Sequence, residues 1–226
     1  MQALIGCTGL IGQLLHQHLK FDHCFTGKNI DQLSQFDYNT VYCAAPSGNR
    51  IISEKYPETD AESVDRLISA LSETKIDRVV LISTCDTQVN PQTHYGRNRL
   101  RLETAIRENW PCHHIVRLSS LIHLTIKKNI LYDIRHSQYI DKINPNTQLQ
   151  WYPLDHLIRD LYHCIKSEIR ELNLCSEPIV NQQIIDLFGK HIQQQVLPGG
   201  AGHIYNLMPY SYTADEIFDH MQKYFK

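Results

Sequence analysis

The first 122 residues predict a doubly wound parallel α/β sheet, and three features carry that expectation. Short apolar, β-branched runs alternate with segments of helical period, the pattern of parallel strands buried under helices on both faces. The first run opens onto a glycine-spaced turn, GCTGLIG, and then onto a helical stretch. After residue 122 the alternation loosens. That predicts a small C-terminal α/β substrate lobe over residues 123–226, which completes the same single unit as the domain at 1–122.

Taken in order, residues 1–5 read as a strand ended by glycine. Residues 10–20 place Ile11, Leu14, Leu15 and Leu19 on one side of a helix. Residues 23–27 form a short strand, and 40–45 (TVYCAA) a third, stopped by Pro46. Residues 61–74 are an amphipathic helix with Val64, Leu67, Ile68 and Leu71 inward. A continuously apolar strand follows at 78–83 (RVVLIS), then a helix at 99–109 and a fifth strand at 114–118 (HIVRL). Further on, 154–168 carries a helical stripe of Leu154, Leu157, Ile158, Leu161 and Ile165. Residues 181–188 and 214–225 predict two more helices, and Gly199, Gly200 and Gly202 mark a loop. The stretches 173–188 and 206–221 both start Asn-Leu, with Ile eleven and Asp thirteen residues after the Asn, a weak two-copy repeat.

Composition narrows the function. With 42% hydrophobic residues, 20% charged residues and a net charge of -2, a disordered chain and a basic nucleic-acid surface are both excluded. No apolar run approaches the ~20 residues of a membrane helix. The opening stretch lacks a basic region and is broken by glycines, so it does not read as a signal peptide. Seven cysteines without C-x-x-C spacing point to reduced thiols in a cytoplasmic protein rather than a disulfide scaffold or a zinc ribbon. His16 and His18 on a helix, and His113 and His114 on a strand, point to different faces, so no metal site is expected.

The strongest local signal is Gly6, Gly9 and Gly12 between a strand and a helix. One glycine permits the tight bend, one lets the backbone approach a pyrophosphate, and one lets helix pack closely on strand. The helix N-terminus at Thr8, Gly9, Leu10 and Ile11 then offers free N–H groups to the anion. The stretch 25–29 (FTGKN), where an acid would bond the ribose hydroxyls, has none. Lys28 stands there instead and suggests NADP, with NAD as the alternative.

The G-x-x-G-x-x-G form resembles the short-chain dehydrogenase/reductase superfamily. Within it the chain is similar to the extended branch, the NAD-dependent epimerase/dehydratase-like enzymes of nucleotide-activated sugars. TVYCAAP (40–46), VVLIST (79–84), HYGRNRLRLE (94–103) and IVRLSS (115–120) carry the resemblance. It is good over residues 1–122; beyond them QWYPLDHL (150–157) and 172–187 match only loosely. The resemblance implies a Rossmann sheet, a small-molecule substrate such as a nucleotide sugar, and a homodimer through the tyrosine-bearing helix. It also implies that Ala44 and Ala45 line the cofactor edge and that Thr84, with Ser83 beside it, supplies the substrate-holding hydroxyl. Ser119, at the end of the fifth strand, and Asn129 fall on the substrate side.

In that family a tyrosine exchanges the proton, and a lysine one helical turn later lowers its pKa from near ~10. Tyr95 occupies the tyrosine position here, but its i+4 partner is Arg99. Arginine keeps the charge with a different, planar geometry. Two readings stay open. Either Tyr95, Arg99 and Thr84 run hydride transfer at a carbinol or keto carbon, with Ser83, Tyr95 and Arg99 also against the dinucleotide and Arg99 on its ribose, or the chain is a catalytically silent dinucleotide-binding sensor or regulator. Cys85 and Asp86 follow Thr84 where small residues are usual; Cys85 has no assigned histidine partner and does not read as a nucleophile. Lys127, Lys128, Asn129 and Arg135 either meet an anionic substrate or form a solvated face.

Overall fold

The computed structural model describes residues 1–189 and 202–226; of the expected loop glycines, Gly199 and Gly200 lie outside the described residues. Strand β1 (Gln2–Ile5) leads through the glycine turn to helix α1 (Leu10–His18) and strand β2 (His23–Phe25). A 3₁₀ turn at Ile30–Gln35 leads to β3 (Tyr38–Cys43). Helices α2 (Arg50–Lys55) and α3 (Pro57–Ser72) precede β4 (Ile76–Thr84). The short α4 (Asp86–Val89) and the long α5 (His94–Asn109) lead into β5 (His113–Leu118). Then come β6 (Ser120–Ile122), α6 (Ile130–His136), β7 (Gln148–Leu149) and β8 (Trp151–Pro153). Helix α7 (Leu157–Lys166), β9 (Glu171–Leu174), β10 (Ile179–Val180), α8 (Asn181–Phe188) and α9 (Ala214–Phe225) complete the chain.

Six strands form a parallel sheet in the order β2-β1-β3-β4-β5-β9, flanked by helices. The doubly wound architecture expected from the strand runs is thus the observed one. Its strands read as unbroken apolar runs because both faces are covered. On one face Ala3, Ile5, Val41, Cys43, Val79, Leu81 and Ile115 form a single core with Val64, Leu67 and Leu71 of α3 and Leu102 and Ile106 of α5. The alternate residues Leu4, Val80 and Val116 are buried on the other face. Helix α3 starts one turn before its expected position, with Pro57 in its first turn beside Glu58 and Asp60.

By compactness the chain divides into two units: Met1–Arg117 with Ile158–Leu172, and Leu118–Leu157 with Asn173–Lys226. The return of α7 and the start of β9 to the first unit follows from the sheet, whose outermost strand is β9. In the second unit β6 pairs in parallel with β8, and β7 antiparallel with β10. Both copies of the weak repeat end in a helix, α8 and α9. Among the described residues no helix is long and apolar enough to cross a membrane.

A buried ionic cluster joins α5, β5 and β9 in the first unit. Glu103 is wholly inaccessible. It accepts hydrogen bonds from Arg117 Nη2 (2.6 Å), Ser83 Oγ (2.6 Å) and Arg107 Nη2 (2.8 Å). Arg117 and Arg107 also donate to Glu171, at 2.6 and 2.7 Å. The hydrogen bond from Arg107 above all, joined by the bond and charge of Arg117, pulls the Glu171 carboxyl down to about 2 against the opposing effect of burial.

Two outcomes follow. Glu103→Gln leaves buried Arg117 short of counter-charge. It lowers unfolding free energy by about 3 kcal/mol in denaturant titration, the low end for a broken buried pair because Glu171 remains. Glu171 ionises below its unfolded value of 4.5. Its contribution is therefore complete above that pH and is lost as pH falls towards 2. Unfolding curves from pH 6 to 2 show this loss in the native chain and a shallower one in Glu171→Gln.

Candidate active site

At the end of β1 the chain turns in a way only glycine permits. Gly6 has φ +86°, and a Cβ there would stand 2.4 Å from the Ala44 carbonyl oxygen. A Cβ on Gly12 would stand 2.0 Å from the Gly6 oxygen. These two absences let the turn fold beneath α1 and against the end of β3, where the Ala44 amide donates to Ile5 O at 2.9 Å. Gly9 is different: a Cβ there meets only the Gly6 oxygen, at 3.5 Å. It is the N-cap of α1, offers no side-chain cap, and no acid occupies the first turn. The first-turn amides at Leu10, Ile11 and Gly12 are left for an external acceptor. Thr8 is exposed, its carbonyl taking a hydrogen bond from Gln13 (3.0 Å).

This turn lies where the sheet reverses, with β2 on one side of β1 and β3 on the other. Ligands of open α/β sheets bind at such switch points. A bend that a Cβ would fill, and an uncapped helix start, fit the pyrophosphate of a dinucleotide.

Along the same carboxyl edge, β4 ends at Thr84 and α5 begins under Thr93, whose hydroxyl accepts from the Gly96 amide at 3.0 Å. Glu54 of α2 takes the amides of Tyr95 (2.8 Å) and His94 (3.4 Å). This acid at a helix N-terminus is why α5 starts a turn before the expected 99. Tyr95 and Arg99 are 7% and 5% exposed. The Arg99 guanidinium lies over the Tyr95 ring, 4.5 Å from its centroid. Thr84, at the end of β4, is near enough to act on the phenol. Tyr95 and Arg99 are therefore in contact, with Thr84 close by.

Arg99, however, does not stand free. It forms a two-pronged pair with Asp60 of α3 (3.0 and 2.9 Å) and donates to Ser47 O (2.7 Å). Asp60 also accepts from Asn98 and Ser53, both at 2.8 Å. Burial raises the Tyr95 pKa, Asp86 adds to the rise, and Arg99 and Thr84 offset it only in part. The lowering expected from Arg99 is present but is outweighed by burial, because the site is closed to water.

Other expected residues are placed differently. Strand alternation turns Ser83 away from Thr84 and onto Glu103. Lys28 is exposed just beyond β2, its amide 3.3 Å from Thr26 Oγ1. Beside it Arg66 of α3 donates to Gly27 O at 2.7 Å and pairs with Asp31, a second cation that periodicity gives no means of finding. Ala44 and Ala45 are half-buried at the end of β3. Cys85 is buried with its thiol towards Arg117 O. In the second unit, Ser119 Oγ donates to Leu174 O (3.1 Å). Asn129 caps α6 through Tyr132 N (3.1 Å) and donates to Leu121 O (2.9 Å).

No protein-family profile and no curated protein matches the chain by sequence. Its fold does match solved structures. It is similar to a dTDP-4-dehydrorhamnose reductase from Yersinia enterocolitica, at 13% identity and TM-score 0.70 over 99% of this chain and 98% of that one. The same enzyme from Bacillus anthracis, in complex with NADP, matches at 16% identity and TM-score 0.66, again over 99% and 98%. UDP-glucose 4-epimerase from Thermotoga maritima, with UDP-glucose, matches at 13% identity and TM-score 0.66 over 93% and 90%. The fold is that of the extended short-chain dehydrogenase/reductases.

The glycines separate by stability. Gly12→Ala, forced against the Gly6 oxygen, lowers stability by about 1–3 kcal/mol. Gly9→Ala stays within about 0.5 kcal/mol of the native chain. Paired thermal or denaturant unfolding measures both.

Proposed function

We propose that the chain is an NAD(P)-dependent reductase acting on a keto carbon of a sugar or nucleotide sugar, with NADP(H) preferred. The observation that carries this reading is Tyr95, a buried phenol stacked under the Arg99 guanidinium and near Thr84, on the sheet edge that holds the glycine turn. Neighbours of the same fold support it: two are dTDP-4-dehydrorhamnose reductases, one of them in complex with NADP.

Gly6, Gly9 and Gly12, with the amides of Leu10 and Ile11 and the exposed Thr8, would hold the pyrophosphate. Ala44 and Ala45 would face the dinucleotide at the end of β3. Lys28, with Arg66 nearby, would meet a 2′-phosphate. The dinucleotide, when bound, supplies the hydride. Tyr95 gives its hydroxyl proton to the carbonyl oxygen as negative charge develops there, and the Thr84 hydroxyl orients the same oxygen. Burial keeps the phenol protonated at neutral pH. That suits proton donation, hence reduction; the reverse reaction and epimerisation both need the phenolate, which this site disfavours.

A second reading, a silent dinucleotide sensor, is favoured by the Arg99–Asp60 pair, which neutralises the cation that would tune the tyrosine.

Turnover separates the two. With NADPH and a panel of nucleoside-diphosphate keto sugars, the reductase oxidises the dinucleotide. Tyr95→Phe then lowers kcat by about 10²–10⁴-fold and leaves NADPH affinity unchanged. The native rate holds through neutral pH and falls only in the alkaline range, above the ordinary phenol value of about 10. Gly9→Ala folds normally but weakens NADPH about tenfold, by crowding the helix start. Tight NADPH binding with no turnover on any panel member selects the sensor.

A further inference from the structure

Cys7 lies inside the glycine turn, between Gly6 and Thr8, and Cys24 lies in the middle of β2. Strands β1 and β2 pair in parallel, with Leu4 opposite Cys24 and Ile5 opposite Phe25. Past β1 the turn stays against β2: the Gly6 and Cys7 amides both donate to Phe25 O, at 2.8 and 3.4 Å. The Cys7 thiol points to the same oxygen, at 3.5 Å. The Cys7 side chain therefore lies against β2 beside Cys24, the residue next to Phe25. Both are partly exposed. Cys24 Sγ also lies 3.6 Å from Nδ1 of His16 on α1.

The other five thiols differ. Cys43, Cys85, Cys164 and Cys175 are buried. Cys112 is exposed, and its sulfur accepts from Arg78 Nε at 3.2 Å. Its exposure makes Cys112 the accessible internal control.

We propose that Cys7 and Cys24 are an oxidation site, closing a reversible disulfide across the glycine turn on exposure to hydrogen peroxide. The Cys7 thiolate attacks the terminal peroxide oxygen. The O–O bond breaks, Cys7 becomes a sulfenic acid, and the hydroxide released takes a proton to leave as water. Cys24 then passes its proton to His16 and attacks the Cys7 sulfur. The S–S bond forms, the S–O bond breaks, and the departing hydroxide takes the proton as a second water. Two thiols lose two electrons, and one peroxide becomes two waters. The assignment of roles follows the geometry: His16 serves Cys24, and Cys7 sits at the positive end of α1. Burial, and then the neighbouring Cys7, push the Cys24 thiol up.

A consequence rests on the proposed dinucleotide seat. The disulfide ties residue 7 to β2 within the turn that would cradle the pyrophosphate. Oxidation and dinucleotide binding therefore oppose each other by the same factor in both directions.

The test uses the full chain, reduced and then treated with hydrogen peroxide, alkylated, digested without reductant and mapped by mass spectrometry. The expected result is a Cys7–Cys24 cross-linked peptide that dithiothreitol abolishes and that Cys112→Ser leaves unchanged. In Cys24→Ser the cross-link is replaced by a Cys7 sulfenic acid trapped by dimedone. Oxidation confined to Cys112, or over-oxidation of Cys7 with no cross-link, overturns the proposal. NADPH titration reads the consequence. Oxidised native protein binds roughly tenfold more weakly than reduced, whereas Cys24→Ser binds equally before and after peroxide. An unchanged affinity in cross-linked protein overturns the coupling. Absence of NADPH binding to the reduced protein instead sinks the dinucleotide reading, while the cross-link is judged by the mapping alone.

Discussion

Asp60 enters the interior in the first turn of α3 and there accepts two hydrogen bonds from Arg99, one from Asn98 and one from Ser53. A carboxylate taken out of water alone costs several kcal/mol. Here four donors from α2 and α5 compensate it. Burial pushes the Asp60 carboxyl up, but the bonds from Arg99, Asn98 and Ser53 outweigh burial and hold it below the ordinary carboxylate range. The acid is therefore charged and locks three helices together. It also fixes the electrostatics of Tyr95. The phenol lies against a guanidinium that Asp60 holds in place, and burial outweighs the pull of that charge on its protonation. A free lysine in place of Arg99 would act on the tyrosine as an uncompensated point charge; the planar, two-pronged arginine is what Asp60 selects.

Helix α5 carries two such buried charges one turn apart. Arg99 faces Asp60, and Glu103 faces Arg117, with Leu102 and Ile106 beside them. Its inward face is thus half ionic. This explains why apolar periodicity located only its second half: residues 94–98 contribute Tyr95, Gly96 and Asn98 to the interior rather than leucine or isoleucine. The start of the helix is fixed by Thr93 and by Glu54, and Glu54 reaches it from an element forty residues earlier.

That pattern marks what the chain discloses and what it conceals. The sheet strands were legible because both faces are buried, so each is an apolar run. The glycine turn was legible because its demands are local: Gly6 and Gly12 answer to the Ala44 and Gly6 oxygens. The meeting of Tyr95, Arg99 and Thr84 followed from positions matched to a family pattern. Asp60 was hidden because its partner is 39 residues away and its own neighbours, Thr59 and Ala61, give no sign of burial. Ser83 and Thr84 could not both face one site, since adjacent strand residues point to opposite faces. Ser119 and Asn129 read as substrate residues on position alone, yet their side chains are engaged in a strand contact and a helix cap. Strands β6, β7, β8 and β10 have two or three residues each, too few to show a period of two.

The glycine turn also explains why a thiol pair and an anion seat coincide. Gly12 against Gly6 O sets how tightly the turn folds, and the amides on Phe25 O set how near it lies to β2. The same backbone leaves the start of α1 uncapped and aims residue 7 at β2. A side chain at position 7 therefore has little freedom of direction, whatever its identity. With cysteine there, and cysteine at 24, the path from turn to strand becomes a potential covalent link. A dinucleotide seated there would stabilise the turn through its amides, whereas the proposed disulfide would stabilise it through its side chain. Because both would act on residues 6–9, strengthening one would change the conformation available to the other, and that shared backbone is the physical basis of the proposed linkage.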